Sequence, residues 1–248
     1  MRVCALYPDL MNIYADRGNL LLLERRCEWR GIAFEASASG LGEALDGEAY
    51  EMYYLGGGQD RDQRLCAEDM LAFKRDGLLA AAERGAIVLA VCGGYQLLGS
   101  SYEIGPGDAL EGVGLLAART VRGPGARLIG NVAIEVRLDG PDGEPRTLAG
   151  FENHAGRTRL GAAEEPLGRV LAGHGNDGRS GAEGARRGNV IGTYLHGPLL
   201  PKNVWFADWL IATALGIAPS ELPPLEDELE RAAHESALHA AGVRPSRR

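Results

Sequence analysis

The sequence predicts an α/β fold: three layers, with a doubly wound, mostly parallel sheet to which antiparallel strands are added. Three observations carry this. Over the first 100 residues, short apolar runs alternate with segments of helical period, as in a parallel sheet with helices on both faces. One run, Ile87 to Val91, is apolar at every position, as a strand covered on both sides must be. From Tyr102 to about Val170 the helical period is lost and glycine-punctuated β-like runs replace it, which suits antiparallel or mixed strands joined to the sheet edge.

The elements follow in order. Arg2 to Tyr7 reads as a first strand stopped by Pro8. Asp9 to Asp16 (D-L-M-N-I-Y-A-D) is a polar and aromatic connection at that strand's carboxyl end, where open α/β sheets place ligands. Asn19 to Arg30 puts Leu20, Leu23 and Cys27 on one helical face and stops at Gly31. Ile32 to Ala36 is a second strand, and Gly40 to Gly47 a loop or short helix. Glu51 to Leu55 is a third strand that opens into Gly56-Gly57-Gly58-Gln59-Asp60. Arg61 to Arg84 is helical, with a break near Asp76-Gly77, and closes at Gly85. The fourth strand, Ile87 to Val91, runs into Cys92, Gly93 and Gly94 and then a helix over Tyr95 to Leu98.

The later β-like runs are Gly112 to Leu116, Asn131 to Leu138 and Thr147 to Phe151. Gly173 to Gly188 reads as a turn-rich hairpin tip or a mobile loop. Asn189 to Leu195 is another buried strand, ending at His196-Gly197-Pro198. Val204 to Leu215 is a helix, Pro219 to Pro224 a linker, and Leu225 to Ala241 an acidic amphipathic helix that docks either here or on a partner. The expected division is therefore a main domain over 1–218, with 219–248 as linker and C-terminal helix.

Composition bounds the function. The 248 residues are 45% hydrophobic and 24% charged, ordinary for a soluble globular protein. The net charge is −8, and basic residues never run beyond two in a row, as at Arg186-Arg187 and Arg247-Arg248, which argues against a nucleic-acid partner. Met1 to Pro8 is too short for a signal peptide and no apolar run approaches a membrane span, so a cytoplasmic chain without membrane insertion is expected. Cys4, Cys27, Cys66 and Cys92 show no C-x-x-C spacing, so no metal site or redox pair is expected.

A cysteine at a strand-to-helix corner sits on a strained turn facing the sheet's carboxyl end, and a helix N-terminus favours its thiolate. Taken alone, Cys92 reads equally as a buried cysteine before a Gly-Gly turn. Two further strand ends join it, Gly56-Gly57-Gly58 and His196-Gly197, and in a parallel sheet all three lie at one edge. An imidazole can act as the base a thiol nucleophile needs. An acyl-transfer intermediate also needs backbone N–H donors, which Gly93 and the triple-glycine loop can offer. Together these point to cysteine-based acyl transfer.

Three segments, G-G-G-Q-D (Gly56 to Asp60), A-V-C-G-G-Y-Q (Ala90 to Gln96) and Y-L-H-G-P (Tyr194 to Pro198), resemble the class I glutamine amidotransferase pattern, in particular the cobyric acid synthase branch. The segments Tyr7 to Asn19, Arg127 to Asn131 and Gly150 to Thr158 (G-F-E-N-H-A-G-R-T) narrow the resemblance to GatD-type glutaminase subunits of lipid II isoglutaminyl synthase. It covers nearly the whole chain. It implies hydrolysis of L-glutamine to glutamate and ammonia. The ammonia would pass to a MurT-type, Mur-ligase-like partner subunit that amidates the D-glutamate α-carboxyl of lipid II. No cofactor is implied in this subunit; ATP and Mg belong to the partner.

By resemblance, Cys92 is the nucleophile and His196 the base. Arg127 binds glutamine, as a guanidinium clamping its α-carboxylate, and Gly57 and Gly93 form the oxyanion hole. Gln96 is either at the substrate's amino-acid end or in ordinary helix packing. The family usually carries an acid two residues after the histidine. Here that position is Pro198, and the resemblance implies an aspartate supplied in trans by the partner, with low activity in the isolated chain. His154 reads as structural before a part in lining the cleft or orienting a loop; His174, His234 and His239 read as solvated. Asp9, Asn12 and Tyr14 shape the cleft or the partner interface. Two other readings are an amidotransferase for another acceptor, such as a corrinoid, and a non-catalytic module on the same fold. Against the first, the chain has no room for a fused synthetase domain and no G-x-x-x-x-G-K-[ST] motif.

Overall fold

A six-stranded sheet positions the site. The computed structural model describes residues 1–13, 16–105, 107–138 and 143–244; Tyr14 and the Arg247-Arg248 pair lie outside them. The first 100 residues form β1 (Arg2–Leu6), α1 (Arg17–Glu28), β2 (Glu35–Ser39), β3 (Met52–Leu55), α2 (Asp60–Asp69), α3 (Arg75–Glu83), β4 (Ile87–Val91) and α4 (Gly93–Leu98). The next stretch adds β5 (Ser101–Gly105), β6 (Asp108–Glu111), β7 (Ala118–Arg122), β8 (Leu128–Val136), β9 (Arg146–His154), β10 (Gly156–Leu160) and β11 (Gly168–Ala172). Last come β12 (Ala182–Glu183), β13 (Ala185–Arg187), β14 (Val190–Thr193), α5 (Val204–Leu215) and α6 (Glu228–Ala240).

The main sheet runs β2-β1-β3-β4-β14-β13, parallel except for β13. Chain direction switches between β1 and β3, where open α/β sheets leave a crevice at their carboxyl ends. β4 lies between β3 and β14, so all five of its residues are buried, which explains its unbroken apolar run.

Several expectations shift. Ile32 donates its N–H to the Cys27 carbonyl at 2.9 Å and so closes α1 over Gly31, which has φ +67; β2 therefore starts three residues late. The break in the long helix is a π-helical stretch, Met70–Lys74, not Asp76-Gly77. The extra residue lets the buried Lys74 ammonium reach the Gly40 and Glu43 carbonyls at 2.7 and 2.8 Å and Asp69 at 3.0 Å. Gly112 to Leu116 is not a strand. Its N–H groups bond the carbonyls at the end of α4 instead, Val113 to Leu97 at 2.9 Å and Leu116 to Leu98 at 3.1 Å, satisfying the helix terminus.

The later strands form two separate four-stranded sheets, β10-β7-β5-β6 and β12-β11-β8-β9; only β13 extends the main sheet. β8 and β9 pair over nine residues. The 173–188 segment is a set of tight turns held by buried Asn176, which bonds the Gly184 N–H and carbonyl at 2.9 and 2.8 Å. The C-terminal helix docks on this chain. Leu238 packs with Ala133 and Ala149. Arg26, buried, pairs with Asp208 at 2.6 Å and with Asp227 at 2.8 Å. His234 is not solvated: Nδ1 meets the Lys202 carbonyl at 2.7 Å and Nε2 meets Thr147 Oγ1 at 2.9 Å. His174 and His239 are exposed. Among the described residues no helix is long and apolar enough to cross a membrane.

Candidate active site

Cys92 is one of two described non-glycine residues with positive φ, at +52, between β4 and α4. Such a backbone costs energy for a side chain bearing Cβ and persists where surrounding structure enforces it. Here the enforcement is visible. The Cys92 N–H donates to the Thr193 carbonyl at 2.7 Å, and its carbonyl accepts the Gln96 N–H at 3.1 Å. Cys4, Cys27 and Cys66 have no such turn, and burial pushes their thiols up to about 11, 11 and 12, so they stay protonated.

His196 follows β14. Thr193 pairs with Val91, so Cys92 and the Tyr194–His196 segment leave the sheet side by side. The His196 backbone is bridged to Phe151 by bonds of 2.9 and 3.0 Å. Its ring is buried, and burial, with the nearby His154 ring and the positive charges of Lys202 and Arg127, draws its pKa down to about 4. The imidazole is neutral near pH 7 and ready to accept a proton. Lys202 Nζ bonds the carbonyls of Gly197 and Pro198, fixing the turn. Pro198 packs on Gly18, with its Cγ 2.8 Å from where a Cβ on Gly18 would stand.

The glycine loop has alternating peptide directions. The Gly56 carbonyl accepts the Gly94 N–H at 3.2 Å. In a trans peptide the next N–H points the opposite way, and the Gly57 N–H accordingly donates to Asp16 Oδ2 at 2.7 Å. The Gly57 carbonyl accepts the Ile13 N–H at 3.2 Å, which turns the Gly58 N–H toward the nucleophile side. The Gly58 nitrogen lies 2.9 Å from where a Cβ on Gly93 would be. The structure thus aims the Gly57 N–H away from the Cys92 turn and sets Gly58 beside Gly93.

Arg127 is exposed and held by Asn153, with Nε on Oδ1 at 2.7 Å and Nη2 on the backbone carbonyl at 2.8 Å. Gln96 is buried. Its Oε1 accepts from Gln63 Nε2 at 2.8 Å and its Nε2 donates to the Tyr194 hydroxyl at 3.1 Å, in a chain that continues to Thr158 and Thr120. His154 is buried, as a structural residue would be, and stacks on Tyr194 with centroids 3.6 Å apart. Its Nδ1 faces the Gly156 carbonyl at 2.9 Å and so carries the proton. Asp9 is exposed, and Asn12 Oδ1 accepts the Arg17 N–H at 2.8 Å.

Among the described residues, three fully buried acids near this site, Asp16, Glu183 and Glu152, escaped the sequence reading. Asp16 holds Gly57. Glu183 accepts the Tyr194 N–H at 2.6 Å and the Thr193 hydroxyl at 3.1 Å, bracing the turn to His196, and burial pushes its carboxyl up to about 8. Glu152 accepts the His174 and Gly175 N–H groups at 2.6 and 2.9 Å. Strand alternation in G-F-E-N-H, which places Glu152 and His154 on one inward face, was the available signal for Glu152.

The topology and a cysteine on a strained turn beside a strand that leads into a histidine define a glutamine amidotransferase fold. A solved glutamine amidotransferase from Thermotoga maritima shares it, with a TM-score of 0.52 at 18% identity, covering 98% of this chain and 94% of that one. The chain belongs to the CobB/CobQ-like glutamine amidotransferase family, whose domain model matches residues 2–204, and is therefore an amidotransferase enzyme. Among its relatives, the lipid II isoglutaminyl synthase (glutamine-hydrolyzing) subunit GatD of Streptococcus pneumoniae is 36% identical over 234 residues, 93% of this chain and 88% of that protein. The Staphylococcus aureus GatD subunit is 36% identical over 236 residues, 94% of this chain and 93% of its own length.

Proposed function

We propose that this chain is the glutaminase subunit of a lipid II amidating enzyme. Its ammonia passes to a Mur-ligase-like, ATP-dependent partner that amidates the D-glutamate α-carboxyl. Kinship to two GatD subunits along nearly the full length supports the acceptor. The observation that carries the chemistry is the Cys92 turn, held at φ +52 against the strand that leads to His196.

The step balances within the chain. His196 takes the thiol proton as Cys92 sulfur bonds the side-chain amide carbon of glutamine. The tetrahedral oxyanion accepts from the Gly58 and Gly93 N–H groups, so the donor role expected of Gly57 passes to its neighbour. The C–N bond breaks, His196 returns the proton to the leaving ammonia, and water hydrolyses the γ-glutamyl thioester to glutamate. Arg127, oriented by Asn153, clamps the substrate α-carboxylate; Gln96 supports Tyr194 from within.

The neutral His196 lacks an orienting acid at Pro198. A carboxylate brought by the partner would fix its tautomer and raise its proton affinity. Action at the cytoplasmic face of the membrane fits such a complex. The test is co-purification with the Mur-ligase-like subunit, followed by glutamine-dependent amidation of lipid II. The reading expects product that requires both chains and is lost in Cys92→Ala. Equal glutamine turnover with and without the partner would refute the acid in trans.

A further inference from the structure

Asp16 stands at the N-cap of α1, yet its side chain makes no capping bond, although aspartate is among the preferred residues there because it can accept a first-turn N–H. The carboxylate is instead turned inward, fully buried, with Oδ2 on the Gly57 N–H at 2.7 Å. The other oxygen, Oδ1, is buried without a hydrogen-bond partner among the described residues, an arrangement that costs stability. Burial pushes the carboxyl up to about 6, against the Gly57 N–H, which lowers it. A residue serving only the helix would cap it.

The neighbours share this orientation. Ile13 holds the Gly57 carbonyl. The Asp16 carbonyl accepts the Tyr54 hydroxyl at 3.1 Å. Asn19 joins the Tyr54 hydroxyl at 2.8 Å to the Leu200 N–H at 2.8 Å, and Gly18 seats Pro198. The D-R-G-N segment therefore ties the glycine loop to the turn after His196. Within it, only the Asp16 side chain grips the glycine loop.

We propose that Asp16 is a positioning residue of the oxyanion site. Through the Gly57 N–H it fixes the peptide alternation that turns the Gly58 N–H toward Cys92. Without it, the 56–57 and 57–58 peptides can rotate, because glycine permits either orientation, and the donor is lost from the transition state while substrate binding at Arg127 persists. This rests on the glutaminase reading above.

The test uses the complex with its partner and measures glutamine hydrolysis by Asp16→Asn, Asp16→Ala and Asp16→Ser. The asparagine side-chain oxygen can accept the same N–H, so Asp16→Asn keeps kcat within about 3-fold. Asp16→Ala loses about 10- to 100-fold in kcat, part of what a missing oxyanion donor costs, with KM changed by less than about 3-fold. Asp16→Ser restores an α1 cap but is too short to reach Gly57, so it keeps its melting temperature and loses kcat as Asp16→Ala does; it carries the test if Asp16→Ala does not fold. A kcat within twofold of wild type, or a raised kcat, in the serine variant would overturn the proposal. Absence of glutamine hydrolysis by the wild-type complex would instead overturn the glutaminase reading and this inference with it.

Discussion

The Cys92 N–H donates to the Thr193 carbonyl at 2.7 Å, so the elbow after β4 and the strand leading to His196 are bonded where both leave the sheet. The bond uses backbone atoms only and survives any change of the cysteine side chain. Cys92→Ala is therefore expected to fold and to lose glutamine hydrolysis by at least about 10³-fold. Cys92→Gly, freed from the positive-φ penalty, should be more stable than Cys92→Ala by about 1 kcal/mol. Turnover assays and thermal melts check both.

His196 titrates near 4 in the fold, below the ordinary 6.5. Between those values the unfolded chain binds more protons, so stability is lost as pH falls from about 6.5 toward 4, by up to roughly 3 kcal/mol. His196→Gln should flatten that part of the stability profile. If the partner brings a carboxylate, the acid limb of kcat/KM moves to higher pH in the complex. Denaturant melts against pH, and rate profiles with and without the partner, give the answer.

Glu183 has the opposite sign. Its carboxyl is pushed from 4.5 to about 8, so the folded chain holds a proton that the unfolded chain releases. Stability is expected to fall as pH rises from about 4.5 to 8. Glu183→Gln mimics the protonated acid toward Thr193, and its melting temperature should vary less across that window. A parallel decline in both proteins would contradict the assignment.

Arg127 has two donors engaged by Asn153, which orients the remaining face of the guanidinium. Lysine cannot reproduce a planar, two-point grip. Arg127→Lys should raise KM for glutamine by about 10-fold or more with a smaller change in kcat, read from initial rates against glutamine concentration.

Much of this was legible in the sequence. Ile87–Val91 announced a central strand through its unbroken apolar run, and Cys92, the glycine loop and His196 announced one edge through their places at strand ends. What was hidden lies beyond periodicity. The π-helical turn at Met70–Lys74 arises because Lys74 seeks distant carbonyls. Gly112 to Leu116 looks like a strand because its residues are apolar, yet its N–H groups answer the end of α4. Gly57 and Gly58 are the same letter, and only the peptide directions set by Gly94, Asp16 and Ile13 tell them apart. Asp16 itself reads as a helix cap, and nothing local shows that its carboxylate turns the other way.

The most direct test of the central claim is covalent capture. The complex is incubated with 6-diazo-5-oxo-L-norleucine, a glutamine analogue that alkylates active-site nucleophiles, and its peptides are mapped by mass spectrometry. The account predicts one adduct, on Cys92, slowed by added glutamine and absent in Cys92→Ala, with Cys4, Cys27 and Cys66 unmodified. Glutamine hydrolysis that continues with Cys92 unmodified, or an adduct on another residue, would contradict it.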